Sequence, residues 1–140
     1  MARQDTRIES EGAEFLVLGN LLILGIPSYK TYTNMPGYDL IATNPDIGKS
    51  VRIQVKSRWR SNAPGFIIKN FDFDFLVVVR LNRGDKKGKS LIKEPEFFIF
   101  PRSVVENVPR SISWNKMNLK DIPNFESYKN QWNTIKITLN

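Results

Sequence analysis

Residues 37–58 read GYDLIATNPDIGKSVRIQVKSR, and the fold is worked out from them. Val51, Ile53 and Val55 alternate with Arg52, Gln54, Lys56 and Arg58, the period of two expected of a strand with one apolar face. Tyr38 to Thr43, behind Gly37, reads as a second strand, and Asn44-Pro-Asp-Ile-Gly48 carries the residues of a turn. The two runs predict a hairpin. Directly opposite residues of an antiparallel pair point to the same face, and their numbers sum to a constant along the ladder. Asp39 shares a face with Gln54 and Lys56 only if that sum is odd. A symmetric loop centred on Ile47 makes it even and turns Asp39 away, unless a bulge intervenes.

Upstream, Thr6 to Leu24 reads as a helix. Asp5 or Thr6 can cap it, Glu9, Glu11 and Glu14 fill its first turns, and Gly25 followed by Pro27 ends it. Glu14, Leu18 and Leu21 recur at helical spacing beside Phe15, Leu22 and Ile26. Downstream, Gly65 to Lys69 reads as a short strand. Phe75 to Leu81 is a continuous apolar run, as expected of a strand buried on both faces. A basic loop, Asn82 to Lys89, leads to a strand over Glu96 to Phe100 and a short helix over Pro101 to Asn107. Asn118 to Trp132 holds a further helical stretch, and Thr134 to Leu139, rich in β-branched residues, predicts a closing strand. There are no repeats and no low-complexity linker. The order predicts one α/β (α+β) domain over residues 1–140, a mixed sheet with helices packed on it.

The chain has 140 residues, with 21 Lys and Arg, 14 Asp and Glu, and no His or Cys, for a formal charge of +7. Without His or Cys, histidine bases, cysteine nucleophiles, disulfides and the usual zinc or iron–sulfur sites are excluded. A metal here must be a hard cation held by oxygens, and a catalytic acid or base must be a carboxylate, Lys or Tyr. The N-terminus mixes both charges without an apolar core, so it is not a secretory signal. The apolar run from Phe15 to Ile26 is too short to span a bilayer of ~30 Å. A cytoplasmic, membrane-free protein is expected. The basic excess is shared by both halves of the chain and favours a polyanion, usually nucleic acid, although charge alone also serves solubility.

Four positions carry candidate chemistry. Glu14 faces the sheet from the apolar stripe of its helix, or sits at the rim and complements the helix dipole. Asp39 opens a strand, where Asp is rare, or closes a turn. Gln54 and Lys56 share one strand face, whether as site residues or as its solvated side along with Arg52 and Arg58. Joined by the hairpin, with the helix packed on it, the four form an oxygen cluster next to an ammonium. That combination suits a hydrated Mg²⁺ and a phosphodiester.

In this order, Glu14, Gly37-Tyr38-Asp39-Leu40 and Ile53-Gln54-Val55-Lys56-Ser57 resemble the PD-(D/E)xK nuclease superfamily, which includes type II restriction enzymes and archaeal Holliday junction resolvases. The likeness runs from about Ile8 to Leu81 and takes in Glu14-Phe-Leu and Leu21-Leu22…Gly25. Gln54 stands where an acid is usual, as in a Gln-x-Lys variant of the superfamily, and Tyr38 stands where the proline is usual. The resemblance implies a restriction-endonuclease-like core in αβββαβ order and a metal-dependent DNA endonuclease. Glu14, Asp39 and Gln54 would hold Mg²⁺ or Mn²⁺, and Lys56 would stabilise charge or help deprotonate the attacking water. Arg52, Arg58, Arg60, Arg83, Lys86, Lys87 and Lys89 would contact phosphates. Trp59 would stack on a base or pack in the core. Cutting both strands favours a two-fold dimer. Two further readings stand beside this one. The first is a catalytically inactive nuclease-fold module binding DNA or a protein, which Gln54 favours. The second is a basic α+β domain of another role.

Overall fold

The computed structural model describes residues 6–31, 37–85, 87–88 and 91–140. Helix α1 (Thr6–Ile23) leads into β1 (Ser28–Lys30), β2 (Leu40–Asn44) and β3 (Lys49–Arg58). Then come β4 (Gly65–Ile67), β5 (Phe75–Arg80), β6 (Glu96–Pro101), α2 (Arg102–Val105), β7 (Lys116–Asn118) and α3 (Asn133–Leu139). Five strands form a sheet in the order β1-β2-β3-β5-β6, with β3 and β5 parallel and the other pairs antiparallel. Strands β4 and β7 pair separately as a small antiparallel sheet.

The expected mixed α+β sheet with flanking helices is what the chain forms. The αβββ opening is α1 followed by β1, β2 and β3. The crossover from β3 to its parallel neighbour β5 carries β4 rather than a helix.

The continuous apolar run of β5 serves two cores. Phe75, Val77 and Val79 face one layer, with Val51, Ile53 and Val55 of β3, Ala13, Val17 and Leu21 of α1, and Trp132, Ile135 and Leu139 at the C-terminus. Leu76 and Val78 face the other, with Phe98 and Phe100 of β6, Phe66 and Ile68 by β4, and Met117 of β7. Burying one such large apolar side chain contributes about 1.5–3 kcal/mol, so both faces are strongly specified. Ala13, Val17 and Leu21 follow one another at every fourth position of α1. The helix stops as expected: Gly25, at φ 80°, donates to the Leu22 carbonyl, and Ile26 donates to that of Leu21. This is the left-handed stop that glycine allows.

Two expectations for the C-terminal part are corrected. Thr134 to Leu139 is helix α3, not a strand: Ile135 and Leu139, one turn apart, enter the first core while Ile137 is 63% exposed. The Leu139 and Asn140 carbonyls accept from Asn44 Nδ2 and Lys49 Nζ of the hairpin, which closes the helix end. Burial at helical spacing thus overrides the β-branched composition. Asn118 to Trp132 holds two single 3₁₀ turns, Leu119–Asp121 and Phe125–Tyr128, in place of a longer helix. No helix among the described residues is long and apolar enough to cross a membrane.

Candidate active site

The hairpin has the odd register. Leu40 pairs with Ile53 and Ile41 with Arg52, and the regular pairing ends there, with Asp39 one residue beyond β2 and bonded back to Ile53 as at a bulge. Its N–H donates to the Ile53 carbonyl at 2.8 Å, and its own carbonyl accepts from Thr31 N at 3.0 Å. Strand β3 then runs on past the end of β2, so the Val55 N–H meets no β2 carbonyl. The Asp39 carboxylate takes that place, with Oδ2 accepting from Val55 N at 2.9 Å. One side chain therefore continues the ladder where the backbone of its strand turns away.

Asp39, Gln54 and Lys56 line one cleft of about 360 Å³, completed by Gly37, Ile67, Ile68, Lys69 and Asn70. Gly37, at φ 86°, is required by conformation and by space. A Cβ there would come within 2.5 Å of the Asp72 Cβ and 2.6 Å of Asn70 Oδ1. The Gln54 amide nitrogen donates to the Val55 carbonyl at 3.3 Å, which leaves the side-chain oxygen as the end free of that bond.

Glu14 comes from α1, on the layer that packs Ala13 and Val17 against the sheet, and is not part of the cleft lining. It is nonetheless tied to Asp39 electrostatically. Burial raises its carboxyl from 4.5 to about 7, the Asp39 charge adds to the rise, and Lys30 opposes it. Lys30, at the end of β1, has a side chain only 4% exposed and pairs with Glu11 and with Glu14 Oε1, the latter at 3.5 Å. Its ammonium lies 4.3 Å from the centre of the Phe15 ring. Burial pulls Lys30 down, but the hydrogen bond to Glu11 and the charges of Glu14 and Glu11 leave it raised. Asp39 is raised by burial against the opposing Val55 hydrogen bond and the Lys56 and Lys30 charges. Lys56 is lowered by burial, and Lys69 adds to the lowering while Asp39 resists it. Each of Glu14, Asp39 and Lys56 is thus pushed towards its neutral form.

Among the described residues, no three His, Cys, Asp or Glu side chains gather as a metal cage. The oxygens able to hold a cation are the two carboxylates of Glu14 and Asp39 and the amide oxygen of Gln54. A hydrated hard cation needs no more, because Mg²⁺ keeps several waters and takes one or two carboxylates.

The expected phosphate-binding residues divide. Arg52 is half exposed, 3.5 Å from Asp74 Oδ2 and 5.8 Å from the Tyr38 ring centre. Arg58 is half-buried and donates to the Gly65 carbonyl, tying β3 to β4. Arg60, Arg83 and Lys87 are exposed, while Lys86 and Lys89 lie outside the described residues. Trp59 is half-buried, its carbonyl accepting from Arg83 N at 2.9 Å. Sequence reading missed Lys30, Lys69 and Asn70. Lys30 sits in a three-residue strand, too short to show alternation, and Lys69 carried no signal beyond its charge.

No family model and no curated protein matches this chain. Among solved structures it is similar to a bacterial homing endonuclease, I-Ssp6803I, at 20% sequence identity and a TM-score of 0.64. The likeness covers 97% of this chain and 94% of that one. It is a likeness of fold.

Proposed function

We propose that this protein is a metal-dependent DNA endonuclease of the PD-(D/E)xK type, with Gln54 in place of the usual acid. The observation that carries the reading is the cleft that Asp39, Gln54 and Lys56 line together, with the Asp39 carboxylate held by the Val55 N–H. A likeness of fold to a homing endonuclease supports it.

The donor set fits Mg²⁺ or Mn²⁺. Glu14 and Asp39 are carboxylates partly stripped of water, each raised mainly by burial, and Glu14 is raised further by the Asp39 charge. A cation relieves that repulsion. When bound, the ion would polarise the scissile phosphate and lower the pKa of attacking water. Glu14 and Asp39 hold it by charge, and Gln54 adds a neutral oxygen. Asp39 is kept in place by the Val55 N–H. Lys56, pressed by burial and by Lys69, releases a proton more readily than a free lysine. Charged, it stabilises the phosphorane-like negative charge, and neutral, it accepts a proton from water. Arg52, Arg60, Arg83 and Lys87 anchor phosphates along the duplex. Arg58, committed to Gly65, positions the strand instead.

Each chain has one such cleft, so cutting both strands takes two copies. The outward side of α1 leaves Ile8, Phe15 and Leu22 exposed at intervals of about two turns, with Ile23 beside Leu22, a stripe able to meet the same stripe of a second chain.

The test is cleavage of supercoiled plasmid and branched DNA across Mg²⁺ and Mn²⁺ titrations, with Lys56→Ala as control. Metal-dependent nicking lost in Lys56→Ala supports the reading. No cleavage of any substrate, with DNA still bound, transfers the protein to a second reading, a catalytically silent DNA-binding module. The observation favouring that second reading is Lys30, whose ammonium already pairs with Glu11 and Glu14.

A further inference from the structure

Strands β4 and β7 stand apart from the main sheet, and their far end presents large apolar side chains to water. Ile112 is 100% exposed and Trp114 72%, whereas Trp132 is 7% exposed in the core. Single exposed apolar residues are ordinary, but two of this size on one short turn are not.

The turn is held firmly. Asn115 has φ 54° and donates to the Ser111 carbonyl at 2.9 Å. Ser111 N donates to the Lys116 carbonyl at 2.9 Å, and its hydroxyl accepts from Lys116 N at 3.0 Å. Ile68 fixes the turn to the cleft wall. Its N–H donates to the Asn115 carbonyl at 3.0 Å, and its carbonyl accepts from Arg110 at 2.7 Å. Ile68 also lines the cleft. The exposed tip is therefore a fixed neighbour of the candidate active site.

Its charge is one-sided. Residues 59–71 and 107–120, which carry this arm, hold Arg60, Lys69, Arg110, Lys116 and Lys120, with the acids Asp72, Glu106 and Asp121 only at their borders. Arg110, bonded to the Ile68 carbonyl and 4.9 Å from the Phe71 ring centre, positions the turn; the other four cations suit a polyanion better than an apolar protein partner.

We propose that the β4–β7 arm grips duplex DNA beside the scissile phosphate, its lysines and Arg60 on the backbone and Ile112 and Trp114 wedged against the bases. The proposal rests on the nuclease reading and adds a binding element that the nuclease motif does not contain. Apolar wedges pressed into base steps are a known means of bending duplex, and an aromatic face stacks on any base. The arm would thus bend the duplex towards the cleft without reading its sequence.

The test is fluorescence anisotropy of a labelled 30-base-pair mixed-sequence duplex at low salt in EDTA, so that no strand is cut. Wild type, Trp114→Ala, Trp114→Phe, Ile112→Ser and Lys56→Ala are compared, with thermal melts for each. Trp114→Ala is expected to weaken binding about 5- to 150-fold, Trp114→Phe to keep most of it, and melting to stay unchanged. Wild-type affinity in both Trp114→Ala and Ile112→Ser overturns the arm and leaves the nuclease reading, which is tested by cleavage, standing. Loss of self-association in Trp114→Ala without loss of DNA affinity assigns the face to a second copy and overturns the arm. Failure of the wild type to bind any duplex overturns both.

Discussion

Two clusters of charge in this molecule use the same residue types to opposite ends. Around Glu96, a carboxylate 15% exposed meets Lys129 at 3.1 Å, Arg80 at 3.6 Å and Lys93 at 3.8 Å, and Asn82 donates to it at 3.0 Å. Burial pushes Glu96 up, but the bonds from Asn82 and Lys129 and the charges of Lys129 and Lys93 hold it below its ordinary value. Around Glu14 and Asp39 the balance is reversed. Two acids share buried Lys30 and half-buried Lys56, and both acids are raised. The first cluster stabilises its charged groups and ties β5, β6 and the segment before α3 together. The second disfavours the charged forms of Glu14, Asp39 and Lys56, while Lys30 alone is held charged. That is how a structural ion-pair network differs from a cluster whose charges are left poorly compensated.

The sharpest way to break the comparison is Lys56→Ala. Under the nuclease reading, cleavage should fall about 100- to 1,000-fold, the loss typical of one group that stabilises transition-state charge. Melting should move little, because Lys56 is desolvated at a cost. Single-turnover cleavage alongside thermal melts separates the two effects.

The next effect is on pH. The Glu14 carboxyl sits at about 7 in the folded chain against an ordinary 4.5. The folded state therefore keeps a proton that the unfolded chain has lost between those values. By linkage, stability falls as pH rises through that window. In metal-free buffer, the Glu14→Gln variant should lack this component. It should gain on the wild type from pH 4.5 to above 7, by about 1–2 kcal/mol once screening of the half-buried carboxyl by water is allowed for. Denaturant melts across pH check it, and parallel pH profiles for both proteins would refute it.

Glu96→Gln should do the reverse. Leaving three cations and Asn82 short of their shared carboxylate should cost about 2 kcal/mol at neutral pH, discounted because both lysines are half exposed. Cleavage per folded molecule should be unchanged. Unaltered stability would mean that the Glu96 network is held together only loosely.

The smallest effect is on metal affinity. Gln54→Glu adds a charge at constant length and should lower the Mg²⁺ needed for half-maximal cleavage about tenfold, whereas Gln54→Ala and Asp39→Asn should raise it. A Mg²⁺ titration of all three decides the point. If Gln54→Glu abolishes cleavage and Gln54→Ala does not, position 54 is no ligand.

Much of this was legible in the sequence because the hairpin is local. Turn residues and a period of two fix which side chains share a face, and only the parity of the register stayed open. The first helix and the doubly buried β5 carried equally plain patterns. What stayed hidden came from contacts distant in sequence. Lys30 reaches Glu11 and Glu14 across the layer between β1 and α1, and three residues of strand cannot announce it. Thr134 to Leu139 has strand-like composition but follows its burial into a helix. Arg58 looked like one more phosphate contact on an exposed face, yet it spends its guanidinium on the Gly65 carbonyl. The β4–β7 pairing joins residues some fifty positions apart, with no alternation to betray it.

The bond from Val55 N to the Asp39 carboxylate has a spectroscopic consequence. Most amides of the sheet answer to backbone carbonyls, whose charge never changes. This one answers to a titrating group. Its proton resonance should follow Asp39 as the carboxyl ionises, and shift again when a cation draws the oxygen's electrons away. Its hydrogen exchange should track occupancy of the site rather than opening of the sheet. One backbone signal therefore serves as a built-in gauge of the cleft, readable in solution before any substrate is known.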